Sequence, residues 1–238
     1  MKNILLTLSI VLFACTKSFA HYLWIETKAK GKTGKSQEVK VYFGEYTYGV
    51  QEKVNEEAFQ KVANFTLWAV DAQGVKKALK TSPKENYYLA EFTPKTKGTY
   101  TLILDNNNID VIDYTKYDFG IFKTHYHSIA KVQVGKNKTA TSTLNSEGIT
   151  VKEVPTETGK IKLQVLYKNK VLAKNKVDIY VSDLWSKSLT TDEQGFVSFK
   201  LPWKTQYVIE TTYKEKTPGT YHQKEYEFVW HCVTYTIQ

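Results

Sequence analysis

Five histidines, His21, His125, His127, His222 and His231, carry most of the chemistry open to this sequence. His125 and His127 stand two apart in FKTHYHSIAKV, residues 122–132. In a strand they project to one face, about 6.6 Å apart along the chain. Imidazoles at that spacing can converge on one ion, and nitrogen donors suit Ni²⁺, Cu²⁺ and Zn²⁺. His21 is different. It stands where an apolar leader passes into SFAHYLWIE, residues 18–26. A cut after Ala20 makes it the first residue, with a free α-amine and an imidazole together. The amine and Nδ1 can then close a chelate ring on one ion, because the amine's reference pKa of about 8 lets a metal displace its proton near neutral pH. No internal histidine can do this.

The remaining candidates are secondary. His231, in FVWHCVTYTI, shares a strand face with Val229, Val233, Tyr235 and Ile237, which is the pattern of a hydrogen-bonded core histidine. Cys232 beside it points the opposite way, so the two cannot hold one ion jointly. His222 lies in a loop, KTPGTYHQKEY, and reads as exposed. Glu45 in FGEYTYG and Asp118 in IDVIDYTKYDFG are carboxylates that could add an oxygen ligand or orient a ligating ring. There is no G-x-S-x-G elbow, no phosphate-binding G-x-x-x-x-G-K-[ST] loop and no H-E-x-x-H helix. A non-enzymatic binding protein is therefore favoured over an enzyme.

The leader decides the status of His21. Residues 1–20 open with Lys2, continue through the apolar ILLTLSIVLFA and end on the small Ala20, the pattern of an export signal. A competing lipoprotein-type cut would retain an acylated Cys15, but Phe13 in LFAC fits that box poorly. Export places the protein in the periplasm or at the cell surface. No later apolar run reaches the ~18 residues of a membrane helix, so the mature chain carries no transmembrane segment. With Cys15 removed, Cys232 has no disulfide partner.

The formal charge is +9 over 238 residues, falling to +7 once Lys2 and Lys17 leave with the leader. Every positive side chain is lysine, and none is arginine. Bidentate reading of phosphate or guanine leans on the arginine fork, and the lysines are spread rather than striped. Nucleic acid is therefore not an expected partner.

The elements that must position these groups are strands. QEVKVYF (37–43), NFTLWAV (64–70), NYYLAEF (86–92) and TYTLIL (99–104) are β-branched or aromatic runs bounded by Gly, Pro, Asn or charge. NEEAFQKV (55–62) is the only helical turn of note. A polar stretch between about 135 and 160 reads as a linker or long connection. Beyond it come IKLQVLY, KVDIYVS, GFVSFKL, QYVIETT and KEYEFVWHCVTYTI. In GFVSFKL, residues Val197, Phe199 and Leu201 should face the core. The expected fold is all-β: two tandem immunoglobulin-like or transthyretin-like sandwiches, with a signal peptide over 1–20 and domains over 21–145 and 146–238.

AHYLWIE after the leader, the KVYFGE strand and turn, THYHSIAKV ahead of the linker, and LTTDEQGFVSFKLP (189–202) resemble a family of exported bacterial proteins, domain of unknown function 4198. LTTDEQGFVSFKLP also looks like the transthyretin-like or carboxypeptidase-regulatory-like sandwich. The resemblance implies a periplasmic or surface accessory to nickel or cobalt uptake, with metal held by His21 and a membrane metal transporter as partner. Placing His125 and His127 in the same site is an inference from spacing alone. Copper is chemically as reasonable. An enzymatic alternative is a copper histidine brace that oxidises polysaccharides; a third is an adhesion or carbohydrate-binding module.

Overall fold

The computed structural model describes residues 21–136, 145–157, 159–182 and 184–238. The leader expected over 1–20, with Cys15, lies outside the described residues, as does 137–144 of the expected connection. The principal strands are β1 (Tyr22–Glu26), β2 (Gln37–Glu45), β3 (Thr66–Val70), β4 (Tyr88–Phe92), β5 (Gly98–Asn106) and β6 (Ile121–Val134). They continue as β7 (Ile149–Glu153), β8 (Ile161–Tyr167), β9 (Lys176–Tyr180), β10 (Ser186–Thr190), β11 (Phe196–Phe199), β12 (Tyr207–Glu215) and β13 (Phe228–Ile237). The expected helical turn is a single short helix, Glu57–Gln60. The fold is all-β and sandwich-like.

One large sheet runs β10-β9-β12-β13-β6-β5-β3 with Lys76–Ala78 at its edge. A smaller sheet, β1-β2-β4 with Thr81–Pro83, covers part of one face, and a third, built on β7, β8 and β11, packs on the other half. Each half has its own apolar core. Leu23, Ile25, Val41, Leu102, Leu104 and Val132 belong to the first, and Ile149, Leu163, Val165, Ile179, Ile209 and Val233 to the second. Full burial of such side chains stabilises by about 1.5–3 kcal/mol each.

The joint between the halves is β6 against β13. They pair in parallel from Phe122 opposite Phe228 to Ala130 opposite Thr236. Parallel neighbours need a long crossover, and here the crossover is most of the C-terminal half. Strand alternation then divides β6 between the two cores. Ala130, Val132 and Val134 enter the first, while Ile129 enters the second. β1 lies across the joint and ties it: the Thr234 hydroxyl donates to the Leu23 carbonyl at 2.8 Å and meets the Ser128 hydroxyl at 2.7 Å.

One stretch departs from its sequence reading. Ile149–Glu153 was expected within the connection, yet it forms β7, paired antiparallel with β8. Ile149 and Val151 are both buried in the second core. Two apolar residues two apart, among Thr, Lys and Glu, are too short a pattern to stand out from a polar surround. The alternation expected for GFVSFKL holds, with Val197 and Phe199 buried.

Candidate functional site

His21 directly precedes β1, whose side chains are committed to two apolar layers. Leu23 and Ile25 face the first core, and Tyr22 and Trp24 face a cluster with Tyr42, Tyr46, Val208 and Cys232. Trp24 stacks on Tyr42 at 5.3 Å, and its indole N–H donates to Glu26 at 2.9 Å. A strand anchored on both faces gives the residue before it a defined place. β1 pairs with β2 so that Tyr22 lies opposite Gly44, which brings Glu45 beside His21.

The hairpin after Glu45 completes the site. A 3-10 turn, Tyr46–Tyr48, closes on Gly49 at φ 67°, and Val50–Gln51 returns to pair with Gly44 and Glu45. Gly44 itself has φ 146°, and a side chain there would strike the Val50 carbonyl; only glycine lets the two arms close. The result is a clasp. His21 Nδ1 lies 3.2 Å from Glu45 Oε1, and Nε2 lies 2.7 Å from Glu52 Oε1. The ring packs on Phe43 at 5.4 Å, and Tyr126 donates its hydroxyl to the His21 carbonyl at 2.9 Å. The His21 side chain keeps 23% exposure, with each carboxylate at 19%. One imidazole and two carboxylates are donors that borderline divalent ions accept. Both ring nitrogens now meet carboxylates, so an ion would take the place of one of those contacts.

His125 and His127 do not join this clasp. They project from β6 on the face opposite Tyr126, the residue that touches His21. There they meet Asp105 on the neighbouring β5: His125 Nε2 lies 2.9 Å and His127 Nδ1 3.3 Å from the same Oδ1. Burial alone would push the Asp105 carboxyl up, but hydrogen bonds from the two histidines outweigh it and hold the group well below the usual carboxylate range. His127 is lowered as well, but there burial outweighs the bond to Asp105.

His231 stands on β13 directly opposite His125, with ring centroids 5.3 Å apart. Its Nε2 lies 3.0 Å from Glu215 Oε2, which also pairs with Lys168 through Oε1 at 2.6 Å. The ring is buried and hydrogen-bonded, as its core-like face implied. Burial lowers its pKa to about 4, more than Glu215 raises it. Burial would raise Glu215, yet bonds from Lys168 and His231 carry it down to about 2. Cys232 turns to the opposite face, near Glu210.

The other candidates stand apart. Asp118 is exposed at the end of the short turn Thr115–Tyr117, with φ 56°. His222 is exposed and meets Asp110 at 3.0 Å. Among the described residues, no group of three or more His, Cys, Asp or Glu side chains has the geometry to hold a metal ion. No helix among them is long and apolar enough to cross a membrane.

Three partners escaped the sequence reading: Glu52, Asp105 and Glu215. The first was within reach, because FGEYTYG carries the turn residues of a hairpin that returns Glu52 toward Glu45. The other two depend on which strands pair, which local pattern does not encode.

His21, set before β1 and clasped by two carboxylates, stands on an all-β frame of stacked sheets. A family model described as a domain of unknown function (DUF4198) matches residues 18–215, and the chain belongs to that family. No curated protein matches it. The matched span takes in His21, Glu45 and Glu52 and ends before His231.

Proposed function

We propose that the chain is an exported transition-metal-binding protein whose ion is held at the mature N-terminus by His21. The observation that carries this reading is the clasp itself: a partly exposed imidazole fixed between Glu45 and Glu52. Cleavage after Ala20 would add an α-amine on the same residue. Amine and Nδ1 then form the chelate, and Glu45 or Glu52 supplies oxygen. That set of two nitrogens and carboxylate oxygens suits Ni²⁺, Co²⁺ and Cu²⁺, with copper ranked highest by donor chemistry alone. The family resemblance favours nickel or cobalt, and with it a role as accessory to a membrane transporter. The division into units over 21–145 and 146–238 belongs to the same proposal, with the second unit bracing β1 through β13.

The residues have plain tasks in this account. Gly44 lets the hairpin close, Phe43 and the Tyr126 hydroxyl hold His21 in place, and the carboxylates offset the ion's charge. A copper brace needs a second imidazole beside His21. Among the described residues His125 and His127 lie across β6 instead, so the clasp lacks a brace's second imidazole. Mass spectrometry of the secreted protein should find His21 first, and Glu52→Gln should weaken Ni²⁺ or Co²⁺ binding. If the native protein holds neither Ni²⁺, Co²⁺ nor Cu²⁺ more tightly than millimolar, the proposal fails and a non-catalytic adhesion or carbohydrate-binding module takes its place.

A further inference from the structure

Of the seven large apolar side chains exposed among the described residues, four stand at one end of the molecule: Tyr48, Val50, Leu184 and Trp203. Strand register puts them together. Tyr180, at the end of β9, lies opposite both Ser186 of β10 and Val208 of β12. The β9–β10 loop with Leu184 and the β11–β12 loop with Trp203 therefore leave the large sheet at the same end. The hairpin that carries Tyr48 and Val50 meets the first loop, where the Leu184 N–H donates to the Thr47 carbonyl at 3.1 Å. Tyr48 and Leu184 line a cleft of about 320 Å³ whose wall includes Glu45 of the His21 clasp.

The apolar tips are held out by bonds. Leu184 is 67% exposed at φ 60°, a left-handed backbone that costs a leucine energy. The Thr47 contact keeps it there, together with the Val181 N–H donating to the Trp185 carbonyl at 3.0 Å. Trp203 is 52% exposed, yet the buried Tyr207 hydroxyl accepts from its N–H at 3.0 Å and donates to its carbonyl at 3.1 Å. Its ring meets that of Trp185 edge-on at 5.3 Å, which joins the two loops. Lys187, Lys200 and Lys204 flank these tips and are exposed. Within 181–187 and 200–206 the only acidic residue is Asp183, which lies outside the described residues.

We propose that this end of the molecule docks onto a bilayer surface that contains anionic phospholipid. Tryptophan settles at headgroup level, leucine reaches the acyl boundary, and lysine lays its stem along apolar surface while its ammonium meets phosphate. The formal charge of +9, carried on lysine alone, adds attraction to the same surface. Tips on three separate segments suit a bilayer, which needs no matched relief. A sugar would need a flat aromatic platform and acceptors for its hydroxyls. Trp185 and Trp203 stand at 86° to each other, and the flanking ammonium groups only donate. Docking here sets the His21 clasp beside the membrane; on the metal-binding reading above, that is where a transporter would receive the ion. The docking itself does not depend on the ion.

The test uses the native secreted protein with EDTA present, so that the clasp's ion plays no part. It is mixed with sedimentable vesicles of phosphatidylcholine alone, or of phosphatidylcholine and phosphatidylglycerol in equal parts. Partitioning should be about a hundredfold stronger onto the mixed vesicles, at about fivefold for each of three lysines, and high salt should reverse it. Tryptophan emission should shift to the blue as Trp203 leaves water. Trp203→Phe keeps an apolar ring in place and should keep most of the binding while losing most of that shift. Leu184→Asn, a residue that tolerates the left-handed backbone, should lower partitioning by about tenfold. If the native protein stays in solution with both kinds of vesicle, the inference is overturned and a protein becomes the occupant of this end. If Trp203→Phe keeps the full shift, another face docks and the inference is equally overturned. Neither reading involves His21, so failure of the amine chelate leaves both unchanged.

Discussion

The two histidine centres of this chain use the same side chain against the same kind of partner, yet their surroundings set opposite tasks. At His21 the ring sits at the mouth of a hairpin, and both nitrogens meet carboxylates that keep contact with water. At His125 and His231 the rings are sealed between sheets, each spends one nitrogen on a carboxylate, and the other nitrogen is bare. The first stands at the surface, partly open to solvent. The second is part of the core, so its histidines answer for stability. Burial, more than residue type, separates a docking point from a built-in one.

Stability measurements should break the comparison most sharply. His125→Ala removes a buried ring and one of the two bonds to Asp105, and should cost about 2–3 kcal/mol in urea unfolding. His21→Ala, on a partly exposed residue, should cost less than about 1 kcal/mol. Equal losses at the two positions would show that burial does not set the two centres apart.

A pH series sharpens it further. On the His21 side of the large sheet, Glu210 is buried beside Cys232, and burial with the nearby Asp178 charge raises its pKa from 4.5 to about 8. The folded protein therefore keeps a proton that the unfolded chain releases above about 4.5. Stability from this group is full below 4.5 and is lost as pH rises toward about 8, at most by about 1.4 kcal/mol per pH unit. His231 acts with the opposite sign. Its folded pKa is depressed to about 4, so the unfolded chain gains the proton first and stability falls as pH drops from about 6.5 toward 4. Glu210→Gln should flatten the loss of stability above about pH 6.5 and, by removing an opposing slope, steepen the His231 dependence between about 4.5 and 6.5. A profile with the same alkaline slope in Glu210→Gln would show that Glu210 is not its source.

The smallest effect expected on folding is at the clasp. Glu45→Gln and Glu52→Gln should each change unfolding by less than about 1 kcal/mol. Glu52→Gln should still weaken Ni²⁺ binding, by about tenfold if its oxygen is a ligand or orients the ring. A calorimetric titration that finds unchanged affinity would assign Glu52 to holding the His21 ring only.

Much of this frame was legible in the sequence, through strand parity above all. The alternation in THYHSIAKV puts His125 and His127 on one face, and that in FVWHCVTYTI separates His231 from Cys232. The same parity sets His125 and His127 on the side away from Tyr126, and so away from His21. What parity lacks is the identity of the neighbour. His125 meets His231 only because β6 and β13 pair in parallel across most of the C-terminal half, and Asp105 arrives through the β5–β6 register. Both are long-range choices made by core packing and chain topology. Expecting His125 and His127 to share an ion with His21 used spacing along one strand where pairing between strands was needed. Glu52 was within reach but follows a hairpin, Gly44–Gln51, whose return arm is only two residues of strand.

The proposed function stands on metal binding through the amine and imidazole of His21 together. Titration of Ni²⁺ into the native secreted protein and into protein with one extra residue before His21 tests it directly. Affinity should fall by about a hundredfold in the extended form, since the second donor no longer sits on the same residue. Equal affinity in the two forms would contradict it.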